Sequence, residues 1–325
     1  MSKIKVGIIG LGYLGRFHFE KYKSFDNVEI TALCDLNEKN LKKFKGSFLK
    51  TTDYKEIINL VDAVSIVSPT NTHFEIAKFF LENRKDVLVE KPICETISQA
   101  EQLNKIAEKN NCIFQVGHLE EFNPAVISCR EYINDPMFIE SIRISPYSGR
   151  STDIDVIRDL MIHDIEIMLN FVKDEVKFIH AAGAPVITDK VDIANVRIVF
   201  NNGCTANFTA SRISLKKERK MRFFQKNRYI SIDFAKKFAK IYSIKKKPSE
   251  KIKPIDFLTK FNYKKLKFPD KVDTLKEEIK SFLNCVQTRK KPVVDGIQGQ
   301  RALEMSLKIL KNLEENLNDT IYRHK

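Results

Sequence analysis

Gly10-Leu11-Gly12-Tyr13-Leu14-Gly15 follows directly on a short apolar run, Ile4–Ile9, and leads into a helical pattern. No other feature constrains the fold as tightly. In a strand–turn–helix the first glycine makes the tight turn and the second lets backbone approach a pyrophosphate. The third allows close helix–strand packing, and the new helix offers free N–H groups to the anion. Asp35 lies twenty residues after Gly15, at the end of a second apolar run. A carboxylate there can accept hydrogen bonds from a ribose diol and would repel a 2′-phosphate. Leu36 follows, with no arginine to hold that phosphate, so NAD is expected rather than NADP. A glycine turn plus a surface aspartate is the plainer reading of the same residues.

The rest of the first third repeats the alternation. Apolar runs over residues 28–34, 63–67, 87–89 and 112–116 stop at Asp35, Ser68-Pro69, Glu90-Lys91-Pro92 and Gly117. Near-continuous apolar strands are those buried on both faces, as in a parallel sheet covered by helices. Helices are expected after Gly15, near Asp53 and near Ser98, where Asp53/Glu56 and Ser98/Glu101 have capping-box spacing. The pattern predicts an α/β Rossmann domain with a parallel sheet over residues 1–120.

After about Gly117 the pattern changes. Residues 153–172 read as one long amphipathic helix. Strands follow without helices between them, over residues 176–181, 195–200, 205–212, 221–224 and 229–234. Asn201-Asn202-Gly203 and Lys226-Asn227-Arg228 supply the turns of two hairpins. Residues 245–269 read as a lysine-rich, irregular excursion, and helices over 274–288 and 300–317 close the chain. Residues 121–325 are therefore expected to form an α+β domain with a mainly antiparallel open sheet. Val196, Ile198 and Phe200 suit either that open face or packing under the domain's own helices.

Composition narrows the classes. Of 325 residues, 43% are apolar, enough for real cores, and no apolar run reaches the ~18 residues that cross a bilayer. Met1-Ser2-Lys3-Ile4-Lys5-Val6 runs straight into a strand with no signal-peptide pattern, so the cytoplasm is the expected location. Cys34, Cys94, Cys112, Cys129, Cys204 and Cys285 form no C-x-x-C pair. Buried reduced thiols are expected, with no metal. The net charge of +14 is carried mostly by lysine, densest over residues 236–271. With no zinc-finger spacing, basic heptad region or RNA-type aromatic motif, it reads as a solvated surface. Nucleic acid is not expected; an anionic lipid or a phosphorylated substrate stays open.

Two further patterns carry chemistry. Glu90-Lys91-Pro92 stands at the C-terminal end of a core strand, where ligands gather in such sheets. A lysine there can reach a substrate hydroxyl and the nicotinamide ribose, although such a tripeptide alone is more often an ordinary strand end. Asp159 and His163 are four residues apart on the predicted helix and share a face. A carboxylate beside an imidazole raises its basicity and orients it, as a general base requires. A satisfied histidine packed in a helix gives the same pattern.

In order and spacing, Gly10 to Gly15, Glu90-Lys91-Pro92 and Asp159/His163 resemble the glucose–fructose oxidoreductase/inositol dehydrogenase/rhizopine-catabolism (Gfo/Idh/MocA) family over essentially the whole chain. The resemblance implies oxidation of a secondary sugar hydroxyl, with His163 as base, Lys91 on the reacting oxygen and Asp159 orienting the base or holding a hydroxyl. It implies that Ser68-Pro69-Thr70-Asn71-Thr72-His73 borders the cofactor. Ser68, Pro69, Asn71, His73, Glu90 and Lys91 then join Gly10, Gly12, Tyr13, Leu14, Gly15 and Asp35 as expected NAD contacts. Asn123 and Arg150 are the expected substrate contacts.

Residues 116–125 and 151–164 further resemble the branch containing UDP-N-acetylglucosamine 3-dehydrogenases. That likeness implies a 3-keto sugar passed to a PLP-dependent aminotransferase, as in lipid A synthesis. Glu121 departs from the branch, which usually has arginine there. Inositol, a free hexose or another nucleotide sugar remain alternative substrates, and a non-catalytic dinucleotide-binding sensor is the alternative class. Family members commonly pair, so a homodimer or homotetramer is expected.

Overall fold

The computed structural model describes residues 3–149, 154–244, 261–268 and 272–323. The chain divides into two compact units, residues 1–122 with 273–304, and residues 123–272 with 305–325.

The first unit opens with β1 (Ile4–Ile9), α1 (Tyr13–Lys23), β2 (Val28–Cys34), the short α2 (Glu38–Leu41) and β3 (Leu49–Thr51). It continues with β4 (Ala63–Ile66), α3 (Thr70–Glu82), β5 (Asp86–Glu90), α4 (Ile97–Lys109) and β6 (Phe114–Gly117). The six strands form one sheet in the order β3-β2-β1-β4-β5-β6, and every pair is parallel. Every residue of β4, β5 and β6 is buried, the condition that a sheet covered on both faces imposes. The strand order reverses at β1, where β2 lies on one side and β4 on the other; α/β sheets of this kind bind ligands at such a point.

Two predicted caps are corrected. Near Asp53 only a single 3₁₀ turn forms, Tyr54–Ile57. Glu56 does not close a capping box, because its carboxylate accepts from Thr51 Oγ1 at 2.5 Å. The chain must enter β4 at Ala63, which leaves no length for a helix. At α4 the capping box is Thr96/Gln99, not Ser98/Glu101. Gln99 N donates to Thr96 Oγ1 at 3.2 Å and Thr96 N donates to Gln99 Oε1 at 3.1 Å. Both pairs have the required spacing, and only the extended backbone at Thr96 selects between them.

The second unit holds α5 (Pro124–Ile127), β7 (Phe138–Ile144), α6 (Ile162–Phe171), β8 (Val176–Ala184), β9 (Ile193–Phe200) and β10 (Thr205–Ser211). It continues through β11 (Glu218–Gln225), β12 (Arg228–Asp233), β13 (Phe238–Ile244) and β14 (Phe261–Lys267). The sheet order is β14-β13-β12-β11-β7-β10-β9-β8, antiparallel except for β7 with β10. Both predicted hairpins form, with Gly203 and Asn227 at positive φ. The lysine-rich excursion is corrected in part, since residues 261–267 pair with β13. Residues 245–260 and 269 lie outside the described residues.

One face of this sheet is the core. Val196, Ile198 and Phe200 are fully buried there with Phe208, Phe223 and Ile230, beneath Ile165 and Met168 of α6. They are therefore not on the open face. The opposite face carries Phe224, Tyr229, Tyr242 and Tyr263, in register across four strands with ring centroids 4.9, 5.5 and 5.0 Å apart.

The chain closes with α7 (Thr274–Thr288) and α8 (Gly296–Arg323). Residues 273–304 belong to the first unit, which departs from the expected contiguous division. The reason is the apolar face of α7. Leu275, Ile279, Phe282 and Leu283 recur at helical spacing and join the core formed by Val6, Ile8 and Tyr22. Lys21 Nζ and Asp273 Oδ2, 2.6 Å apart, tie α1 to the start of α7.

Candidate active site

In the first unit two of the three turn glycines leave no room for a Cβ. Gly10 has φ +89°, and a Cβ there would lie 2.6 Å from Ser68 N and from Val67 C. A Cβ on Gly15 would collide with the Gly10 carbonyl. Gly12 is the opposite case: a Cβ would meet nothing within 4 Å. Gly12 also caps α1 with no side chain, so the space in front of the helix N-terminus is open. A pyrophosphate fits such a place on steric and electrostatic grounds.

Asp35 is held in position at the end of β2. Its carboxylate accepts from Leu11 N at 2.6 Å, Asn37 N at 2.8 Å and Asn40 Nδ2 at 3.2 Å. It is half-buried beside the glycine turn, while Leu36 is exposed. Tyr13 is exposed and rests edge-on against Phe17; Leu14 packs on the core. Pro69 and Asn71 are exposed and Ser68 is half-buried at the start of α3. His73 is buried, and its two ring nitrogens each face a carbonyl oxygen, Pro92 O and Ser68 O, both at 2.9 Å. Burial holds its pKa below the usual imidazole value, outweighing the two carbonyls that act to raise it. His73 thus straps the loop after β4 to the chain after Lys91.

Lys91 leaves the C-terminal end of β5, half-buried. His118 follows the adjacent strand β6 and is 1% exposed. Burial and the Lys91 charge push the His118 imidazole down to about 3, so it is neutral at physiological pH. Glu120 and Glu121 are buried in a 3₁₀ turn, Leu119–Phe122. Glu278 of α7 is fully buried, and among the described residues neither carboxyl oxygen has a hydrogen-bond partner. Burial, reinforced by the charge of Glu90, raises its pKa well above the usual range.

Glu278 therefore weakens the fold as pH rises. The unfolded carboxyl ionises above about 4.3, while the folded one stays protonated. Stability from this group is complete below that value and is lost on going upward from it. Glu278→Met is expected to stabilise the protein by about 1–3 kcal/mol at neutral pH, the cost of an unsatisfied buried polar group. Urea unfolding of both proteins between pH ~4 and neutrality should show the advantage growing with pH.

In the second unit the predicted long helix is corrected. A π-helical turn, Ile157–Met161, precedes α6. Asp159 lies half-buried in that turn and His163 in the first turn of α6, 9% exposed. A wider turn alters the simple α-helical relation between them; such turns recur at functional sites. The neighbouring Asp164 makes a bidentate pair with Arg143 of β7, Nε to Oδ2 at 3.0 Å and Nη2 to Oδ1 at 2.7 Å. Both are 2% exposed, and Arg143 also lies over the Phe234 ring at 5.1 Å. This pair fixes the start of α6 to the sheet. Asn123 is buried as the α5 cap, accepting from Ala125 N at 3.1 Å and donating to Phe234 O at 3.2 Å, so its amide is committed to the fold. Arg150 lies outside the described residues.

Residues 4–118 match the model of an oxidoreductase family with an NAD-binding Rossmann fold, Gfo/Idh/MocA. Over 318 residues, 95% of this chain and 97% of the relative, the sequence is 32% identical to UDP-N-acetylglucosamine 3-dehydrogenase of Acidithiobacillus ferrooxidans. The chain belongs to the Gfo/Idh/MocA family. The solved structure of that A. ferrooxidans enzyme superposes with a TM-score of 0.86 at 31% identity, covering 97% of this chain and 99% of the other. Myo-inositol 2-dehydrogenase of Thermotoga maritima is 24% identical over 96% of this chain and 97% of its own length. Levoglucosan dehydrogenase in complex with NADH and L-sorbose, 16% identical with a TM-score of 0.83, covering 97% of this chain and 98% of its own, shares the fold. As a Gfo/Idh/MocA oxidoreductase, the chain carries the glycine turn and Asp35 in one cradle, and Lys91 at the end of a strand in that same unit.

Sequence reasoning missed Arg143, Asp164, His18 and Glu278. Arg143 left one trace, a charged residue in register with Ile139 on the inward side of a strand.

Proposed function

We propose that this protein oxidises the C3 hydroxyl of UDP-N-acetylglucosamine to a ketone, with NAD as hydride acceptor. The observation that carries the reading is the full-length likeness to a UDP-N-acetylglucosamine 3-dehydrogenase. Gly10, Gly12 and Gly15 with the N-terminus of α1 would hold the pyrophosphate, and Asp35 the adenosine ribose diol. Ser68, Pro69 and Asn71 would border the nicotinamide half, with His73 holding their loop. When bound, NAD supplies the acceptor for the hydride. His163 takes the hydroxyl proton as general base, and Asp159 orients it. Lys91 donates a hydrogen bond to the reacting oxygen and offsets its growing negative charge. Glu121, where the branch has arginine, is buried, so the departure sits inside a 3₁₀ turn.

A 3-keto sugar is the substrate of a PLP-dependent aminotransferase, and such an enzyme would consume this product. The aromatic row on the open sheet face suits a homodimer or homotetramer. A second reading keeps the mechanism and replaces the sugar by an inositol, which the T. maritima relative favours. NADH formation with UDP-N-acetylglucosamine, myo-inositol and free glucose in parallel decides between them, with a ketone trap to pull an unfavourable equilibrium. Turnover specific to the nucleotide sugar is expected. Turnover with myo-inositol alone would replace the first reading by the second, and NAD binding without turnover on any of the three would count against both.

A further inference from the structure

We propose that His18 is a positioning residue for the reaction, holding the Glu90 carboxylate beneath the end of β5 and so fixing where Lys91 leaves the sheet. The inference rests on the reading that Lys91 contacts the reacting oxygen.

Glu90 is 5% exposed and confined on three sides. Its Oε1 accepts from His18 Nε2 at 3.0 Å. Its Oε2 accepts from the Lys91 amide at 3.3 Å. On the β6 side it lies against Gly117, where a Cβ would come within 3.0 Å of the carboxyl. A buried carboxylate needs donors. Among the described residues the side chain that supplies one is His18, from a different element, α1.

The hydroxyls behind His18 give the chain of bonds one direction. In the neutral tautomer whose Nε2–H donates to Glu90, Nδ1 is the acceptor. It faces Ser65 Oγ at 3.4 Å, and Tyr22 OH lies 2.7 Å from the same Ser65 oxygen. Tyr22 OH then donates to Ser65, Ser65 to His18, and His18 to Glu90. Burial raises the Tyr22 pKa and keeps it a donor. Two buried carboxyls that feel each other cannot both ionise cheaply. Among the described residues Glu278 meets no donor and is the protonated one, and Glu90 has two donors.

Ser65, His18 and Glu90 have the residue types of a hydrolytic triad, but Ser65 and His18 are 0% exposed. No substrate reaches that serine, so the arrangement serves its other end. Glu90 is the last residue of β5 and Lys91 the next. Fixing the Glu90 carboxylate against both His18 and the Lys91 amide fixes the backbone from which the Lys91 side chain departs.

The test uses the full-length protein and the sugar it turns over, with NAD affinity measured separately by fluorescence. His18→Leu is expected to lower kcat at least ~10-fold while NAD affinity and KM stay within about threefold, as misplacement of a catalytic group from a distance does. His18→Gln, which restores an amide donor near the Nε2 position, is expected to recover most of that loss. An unchanged kcat in His18→Leu, or a Gln variant no better than Leu, overturns the proposal. If His18→Leu does not fold, Glu90→Gln carries the test: it spoils the acceptor at the same volume, and kcat equal to the parent's overturns the proposal. Lys91→Ala separates the two layers. Full turnover in Lys91→Ala refutes the role of Lys91 itself, whereas loss in Lys91→Ala with none in His18→Leu refutes only the positioning role.

Discussion

Replacing His163 by alanine is expected to lower kcat by ~10²–10⁴, the range in which a positioned general base contributes, with NAD affinity unchanged. The side chain is 9% exposed and stands in the first turn of α6, immediately before the buried Arg143–Asp164 pair. Burial and the helix turn define where its side chain departs, and direction is what proton removal from a chosen hydroxyl needs. On the proposed reading NAD is held by the glycine turn and Asp35, in the other compact unit, so its affinity should not respond. Added imidazole should restore part of the turnover, because it replaces the base and nothing else. Asp159→Asn, which keeps the shape and removes the charge, should fall between the parent and His163→Ala. Turnover of His163→Ala within a few fold of the parent assigns the base to another group.

The largest effect on stability is expected from Asp192→Ala, about 3–5 kcal/mol, the usual cost of breaking a buried ion pair by removing one partner. Asp192 is fully buried and accepts from the backbone N–H groups of Val186, Ile187 and Thr188 at 2.7–2.9 Å. Arg212, 4% exposed, donates Nε to it at 2.7 Å and Nη1 to Ile154 O at 2.8 Å. Removing the carboxylate strands that guanidinium and loosens the segment leading into the π turn of Asp159. Burial alone would raise the Asp192 pKa; the three N–H groups and Arg212 outweigh it and hold the carboxyl well below the usual range. Its contribution is therefore present above the unfolded value, about 3.9, and is lost as pH falls below that toward the depressed folded value. Urea midpoints at neutral pH should drop sharply in Asp192→Ala. The acid sensitivity of the parent below pH ~4 should be weaker in the variant. A midpoint unchanged at neutral pH would show that the network carries no net stability.

What the sequence determined by itself is local. The glycine turn, Asp35 and the apolar strands of the first unit were legible because each is a short-range demand. A positive φ at Gly10, a Cβ-free approach at Gly15 and a run buried on both faces all leave marks within a few residues. The hairpins at Gly203 and Asn227 were legible for the same reason. The tertiary structure decided everything that joins distant residues. Residues 273–304 return to the first unit because the apolar face of α7 completes a core begun by Val6 and Ile8. Whether Val196, Ile198 and Phe200 face inward depends on which side α6 covers, and alternation is the same for either face. Arg143 finds Asp164 across 21 positions and His18 finds Glu90 across 72. A charged side chain shows in the sequence that it needs a partner when buried, but only the packed chain shows which one it has.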